Sequence, residues 1–163
     1  MADGSKFTDN AGYEQFTYVE EFIDRDPRLY QTLVYPGWVR EPEPNPYIPL
    51  LNRNFSGYYQ LKGYSNTIDN LELGGLDFPV YRFAEVLLTY AEAQAELGAL
   101  TQADLDASIN LLRDRAGMPN LMMSQANAQP DPFMMAKYPK VSGPMAGTLL
   151  EIRRERRIEL AVE

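Results

Sequence analysis

Seven of the 12 prolines, Pro27, Pro36, Pro42, Pro44, Pro46, Pro49 and Pro79, lie in the first half of the chain. Proline lacks an amide hydrogen and clashes with the preceding helical turn, so no long helix can run through the stretch from Pro27 to Pro49. Residues 1–79 are also rich in Tyr, Gly, Asn and Asp and are predicted to be loop-dominated. The tract Glu41-Pro42-Glu43-Pro44-Asn45-Pro46 is expected to be polyproline-like and solvated. Residues 31–35, ended by Pro36-Gly37, and 58–62, bracketed by Gly57 and Gly63, are strand candidates. A short helix is expected near residues 18–23.

Residues 80–163 are rich in Ala, Leu, Glu and Arg instead. Val80, Phe83, Ala84, Leu87, Leu88, Ala91 and Ala95 recur at i, i+3, i+4 and i+7, one face of a helix. Asp77 and Pro79 suit its start and Gly98 a left-handed stop, so the spacing predicts a helix over 80–97. Thr101 with Asp104 resembles a capping box and opens a second helix, 102–116, whose buried face is Leu105, Ile109, Leu112 and Ala116. Gly117 and Pro119 end it. The short loop makes the two an antiparallel hairpin. Residues 118–147 show no period and are expected to be functional or to cross the surface. Met118, Met122, Met123, Met134, Met135 and Met145 cluster there, as an adaptable contact surface or as gap-filling core. Thr148 with Glu151 forms another capping-box pattern, opening a helix from Leu149 that no Gly or Pro stops. The fold class is therefore mainly α: a tetratricopeptide-like helical hairpin plus a further helix in 80–163, and a loop-rich part with few short strands in 1–79.

The last predicted helix holds four Arg and four Glu between Glu151 and Glu163. Like charges at i,i+4 are unfavourable unless partners intervene. One reading is a solvated face of weak surface pairs. The other is an architectural network in which guanidinium groups hold Glu85 and Glu92 of the first helix bidentately. Its members are Arg82, Glu85, Glu92, Arg113, Glu155, Arg156 and Glu159, with Arg115 beside them.

The 163 residues carry 15 Lys+Arg against 23 Asp+Glu, a net charge of −8. No basic face for nucleic acid is expected. Without Cys or His there is no disulfide, thiol nucleophile or Ser-His-Asp triad, and neither metal nor cofactor is expected. Asp24 and Asp26 lack the Gly-containing loop of a calcium site. No apolar run reaches the roughly 18 residues of a membrane span. The first residues carry no signal core, so the chain is cytoplasmic or its export signal lies outside it. Asp24, Asp26, Glu41 and Glu43 read as solvated turn residues; a glycosidase would need two carboxylates facing one cleft. Trp38, the sole tryptophan, lies in Tyr35-Pro36-Gly37-Trp38, with Arg40, Asn45, Tyr47 and Asn52 following. Aromatic faces beside hydrogen-bonding groups suit sugars. The alternative is a Trp packed on the helical core. Tyr58 and Tyr59 face opposite sides of a strand, one to the core and one available for binding. The candidate ligand-binding residues are Trp38, Tyr35, Arg40, Tyr47 and Tyr58.

The stretch from Phe78 to Ala93 resembles the "P-x-x-R-x-A-E-x-x-L-x-x-A-E-A" helix of the SusD/RagB family. Residues 107–117 are similar to its "A-x-x-x-I-N-x-x-R-x-R-A-G", and 152–160 to its "I-x-x-E-R-R-x-E-L". Asp24-Arg25-Asp26-Pro27-Arg28-Leu29 with Pro36-Gly37 resembles "D-P-R-L … P-G", and 56–62 resembles "T-G-Y-x-x-x-K". Five motifs occur in order over residues 20–163. The resemblance implies a non-catalytic oligosaccharide-binding component of an outer-membrane nutrient uptake system. It implies a stack of tetratricopeptide-like helix pairs, a TonB-dependent transporter as partner, and a surface-exposed, lipid-anchored parent. Family members are longer and carry a lipidated Cys, so this chain reads as a carboxy-terminal-side fragment truncated at both ends. A helical-repeat adaptor binding only protein is the alternative.

Overall fold

The computed structural model describes residues 1–50, 52–64 and 79–163. It is mainly helical and divides into two compact units, Met1–Val80 and Tyr81–Ala161. Asp77 and Phe78 lie outside the described residues.

In the second unit, α1 (Phe83–Glu96) buries Ala84, Leu88, Ala91 and Ala95, as its period requires. It starts later than the apolar spacing suggested. Arg82 stays extended as its N-cap residue, and Val80 and Phe83 are exposed. Gly98 takes the left-handed conformation at φ +66°. Thr101 Oγ1 accepts from the Asp104 amide, while the Asp104 carboxylate accepts from the Thr101 amide at 2.9 Å. This box opens α2 (Gln102–Asp106). The expected helix 102–116 is broken: α2 ends at Asp106 and α3 (Ile109–Arg115) follows. The Ser108 hydroxyl donates back to the Asp104 carbonyl at 2.5 Å, the local competition by which serine interrupts a helix. Leu105, Ile109, Leu112 and Ala116 are buried nonetheless.

The connector contains α4 (Met123–Ala128) and α5 (Pro132–Lys137), the latter capped by Asp131 accepting from the Phe133 amide. Buried polar groups tether it. Asn110 Oδ1 accepts from the Leu121 amide at 2.7 Å and its Nδ2 donates to the Leu121 carbonyl at 3.2 Å, as a neighbouring strand would. Gln102 does the same, accepting from the Met123 amide at 2.9 Å. Met118 and Met134 are core, whereas Met122 and Met135 are exposed.

The last helix, α6 (Ala146–Glu159), begins before Thr148. Its Thr148 amide donates to Asn127 Oδ1 of α4 at 2.8 Å, so the cap is supplied by another helix and not by Thr148 with Glu151. It also stops without Gly or Pro. Arg82 Nη2 donates to the Glu159 carbonyl at 3.1 Å, satisfying a terminal acceptor.

α6 runs antiparallel to α1, and ion pairs fix the register. Arg153 donates to Glu92 at 2.9 Å and Glu96 at 2.6 Å. One turn on, Arg156 reaches Thr89 Oγ1 at 3.1 Å and Glu85 at 3.4 Å. At the far end Arg82 meets Glu159 at 3.1 Å and Glu163 at 2.7 Å. From α3, Arg113 pairs with Glu155 at 3.0 Å and Arg115 with Glu159 at 2.5 Å. Arg154 pairs with Asp131 and, at 2.9 Å, with Glu151. The side chains of Glu155 and Glu159 are only 2% and 3% exposed, so these contacts offset a large desolvation cost. Beneath them Leu88, Leu105, Ile109, Leu149 and Ile152 form one core, each contributing about 1.5–3 kcal/mol on burial. The opposite face of α1 leaves Phe83, Val86, Tyr90 and Leu97 exposed.

The first unit is built from turns. Phe7–Asp9, Tyr13–Gln15 and Glu20–Phe22 are single 3-10 turns, the last within the expected helix at 18–23. Residues 31–35 do not form a strand. Arg28–Thr32 is a short α-helix, held where the Asp26 carboxylate grips the Arg28 guanidinium at 3.0 and 2.7 Å. Only then does Leu33 make an antiparallel bridge to Gln60.

Candidate ligand-binding site

Aromatic side chains need partners, and beside a Phe7–Tyr13–Phe16 cluster the first unit supplies them in two further groups. In the first, Tyr18 meets Phe22 at 5.0 Å, Phe22 meets Tyr30 at 5.7 Å, and Tyr30 meets Tyr35 at 5.2 Å between centroids. Tyr58 joins through Tyr18 at 5.8 Å, and its hydroxyl donates to Glu21. Burial first, then that bond to an anion, pushes the Tyr58 phenol up to about 12. In the second group Trp38 meets Tyr47 edge-on at 5.9 Å, and Tyr47 meets Tyr59 at 5.8 Å.

The second group rests on a hairpin. Gly37, at φ +88°, turns the chain so that the Trp38 amide donates to the Tyr35 carbonyl at 3.0 Å. Val39 and Pro46 form an antiparallel bridge, and the Tyr47 amide donates to the Trp38 carbonyl at 2.8 Å. Between them the Glu43 amide donates to the Arg40 carbonyl at 2.7 Å. The tract 41–46 is therefore solvated but folded back on itself, not extended. Hydrogen bonding from its flanks outweighs the polyproline bias of alternating prolines.

This hairpin and the residues after it wall a cleft of about 280 Å³, lined by Arg40, Glu43, Asn45, Pro46, Tyr47 and Ile48. That is the small end of ligand clefts, room for about one ring. The Arg40 guanidinium makes no ion pair among the described residues, so its donors are available to a ligand. Tyr47 offers an apolar ring beside those donors and the Asn45 amide. Of the five candidate residues, Arg40 and Tyr47 line the cleft, Trp38 packs edge-on against Tyr47 outside the lining, and Tyr35 and Tyr58 sit in the other aromatic group. Ile48 was not singled out by sequence, and Glu43 was read only as a solvated turn residue; the alternation at Tyr58 and Tyr59 offered either tyrosine, and the pairing with Tyr47 selects Tyr59. Asn52 is exposed and outside the lining. Asp26 is held by Arg28, and Asp24, Glu41 and Glu43 lie at the surface.

Buried ion pairs clasp the helices of the second unit, and aromatic and hydrogen-bonding side chains lie on loops of the first. The SusD family model matches residues 1–163, the whole chain, and the chain belongs to the SusD family. The family comprises carbohydrate-binding components of outer-membrane nutrient uptake, and its members are non-catalytic and work with TonB-dependent transporters. No curated protein and no solved structure is detectably similar to the chain. Among the described residues no helix is long and apolar enough to cross a membrane.

Proposed function

We propose that this chain binds oligosaccharide without hydrolysing it, as the surface component of an outer-membrane uptake system, and delivers it to a TonB-dependent transporter. Family membership over the whole chain carries the reading. The ligand face is the hairpin of Trp38, Arg40 and Tyr47, with Tyr35 and Tyr58 stiffening the adjoining surface. A sugar's apolar face stacks on Tyr47 while its hydroxyls accept from Arg40 and Asn45. The helical unit serves as scaffold and partner surface, and a lipid anchor on the parent holds the assembly at the outer membrane.

Calorimetric titration with a panel of soluble oligosaccharides tests the reading. Trp38→Ala is expected to weaken the bound member about tenfold. Release of reducing sugar above the blank refutes the non-catalytic role. A protein-only adaptor is the second reading, favoured by the exposed stripe of Phe83, Val86, Tyr90 and Leu97 on α1. Binding to a transporter with no sugar affinity would select it.

A further inference from the structure

α1 carries a second apolar stripe, on the side away from its core. Phe83, Val86, Tyr90, Ala93 and Leu97 recur at i, i+3, i+7, i+10 and i+14, and all are exposed. That is an unbroken a/d heptad seam, the narrow stripe by which one helix meets one other helix. The buried residues Ala84, Leu88, Ala91 and Ala95 fall at the b and f positions, on the opposite side. Folding of the chain therefore does not use the seam. Phe83 and Leu97 are left 71% and 79% exposed, at a cost in apolar hydration that a partner would relieve.

The seam fits a copy of itself. No charged residue interrupts it. The flanking acids Glu85, Glu92 and Glu96 are met by Arg156 and Arg153 of α6 in the same chain, so they bring no unpaired charge to a contact between two copies. The Tyr90 hydroxyl donates to Asp104 at 2.6 Å, so little rotamer freedom is lost there when a partner arrives. Residue sizes select the direction. Antiparallel pairing, with a positions facing d positions, sets Phe83 against Ala93 of a second copy and Tyr90 against its Val86, large on small in both layers. Parallel pairing would crowd Phe83 on Phe83 and leave Ala93 facing Ala93 across a gap.

We infer that α1 pairs antiparallel with α1 of a second copy of this chain through this seam. The contact is isologous, each copy giving and receiving the same residues, so it closes at two. The seam is about 21 Å long. Its exposed side chains cover roughly 500 Å², within the range of the largest apolar patches on monomers. A standard interface buries about 800 Å² per partner, so the dimer is weak and half formed near about 50 μM chain. The net charge of −8 repels a second copy at long range, and added salt tightens the pair by screening it. The inference stands apart from the reading of the cleft, since no cleft residue takes part.

Sedimentation equilibrium on the full chain, from about 5 to about 200 μM, reads the pairing. The average mass is expected to climb from one chain towards two across that range. Val86→Arg and Ala93→Arg should each weaken association at least about tenfold, because each puts charge and bulk into the seam. Both positions are exposed, so their thermal unfolding at about 5 μM should match that of the unaltered chain, which separates loss of pairing from loss of fold. Direction is read with single cysteines, since the chain has none of its own. Phe83→Cys mixed with Ala93→Cys should give a disulfide-linked dimer on mild oxidation, and Phe83→Cys alone several-fold less. A mass that stays at one chain throughout overturns the inference. So does a dimer that survives both arginine variants, which would place the contact elsewhere. Phe83→Cys linking to itself as readily as to Ala93→Cys refutes the antiparallel seam.

Discussion

Gly147 sits in the first turn of α6 where that helix crosses α4. A Cβ built there meets the Ala126 carbonyl oxygen, lies 2.5 Å from the Ala126 carbonyl carbon, and lies 2.9 Å from Asn127 Cα. All three are backbone atoms, so no side chain can rotate aside and one helix must move. Ordinarily Gly→Ala inside a helix gains about 1 kcal/mol. Here overpacking costs about 1–3 kcal/mol, at the upper end because the obstacle is rigid. Moving α4 also strains the bond from the Thr148 amide to Asn127 Oδ1, now 2.8 Å, which is worth about 1 kcal/mol. Gly147→Ala is therefore expected to lose about 2 kcal/mol net. For a unit of roughly 80 residues that lowers the melting temperature by about 8–16 °C. Far-UV circular dichroism on heating, checked by urea unfolding, reads it. A variant melting at or above the unaltered chain would show that α4 does not lie against α6 as described.

Other consequences follow from single contacts. Arg113→Met strips the buried Glu155 of the partner at 3.0 Å and should cost on the order of 3 kcal/mol in urea unfolding, whereas Arg156→Met at the half-exposed Glu85 pair should cost at most about 1 kcal/mol; equal losses would refute the burial argument. Asn110→Ala removes both bonds to Leu121 and leaves a buried amide unsatisfied, an expected loss of about 1–3 kcal/mol by the same measurement. The Tyr58 phenol, raised to about 12 in the folded chain against its unfolded value near 10, stabilises the protonated folded form. That contribution is complete below pH ~10 and is lost as pH rises to about 12; ultraviolet titration should show one tyrosine fewer ionising in that window in Tyr58→Phe. Trp38 is the sole tryptophan, so oligosaccharide binding beside Tyr47 should change intrinsic emission; heat of binding without an emission change would remove Trp38 from the site.

The helical unit was largely legible because its signals are local and periodic. The stripe at Ala84, Leu88, Ala91 and Ala95, the Thr101–Asp104 box and the left-handed Gly98 each follow from residues within a few positions of one another. Errors arose where a distant residue finished an element. Asn127 caps α6 from another helix, and Arg82 closes its last turn from the start of α1. No window along the chain contains those partners together. The loop-rich half was harder for the same reason. Which tyrosine meets Tyr47 is decided by the Val39–Pro46 bridge and the turn at Asn54, not by the alternation of side chains.

The family motifs also divide from the ligand surface. Arg82, Glu85, Glu92, Arg113, Arg115, Glu155, Arg156 and Glu159 all enter the ion pairs that join α1 and α3 to α6. Asn110 holds the connector, and Asp26 holds Arg28. A buried carboxylate tolerates little change, since removing its partner costs several kcal/mol, so such positions leave a readable pattern. The loop residues of the cleft face no comparable penalty: Arg40 and Asn45 are constrained only by turn geometry and solvent. Architecture is therefore where this sequence is recognisable. The ligand must be read from what the scaffold leaves exposed, here the loop cleft of Arg40, Asn45 and Tyr47.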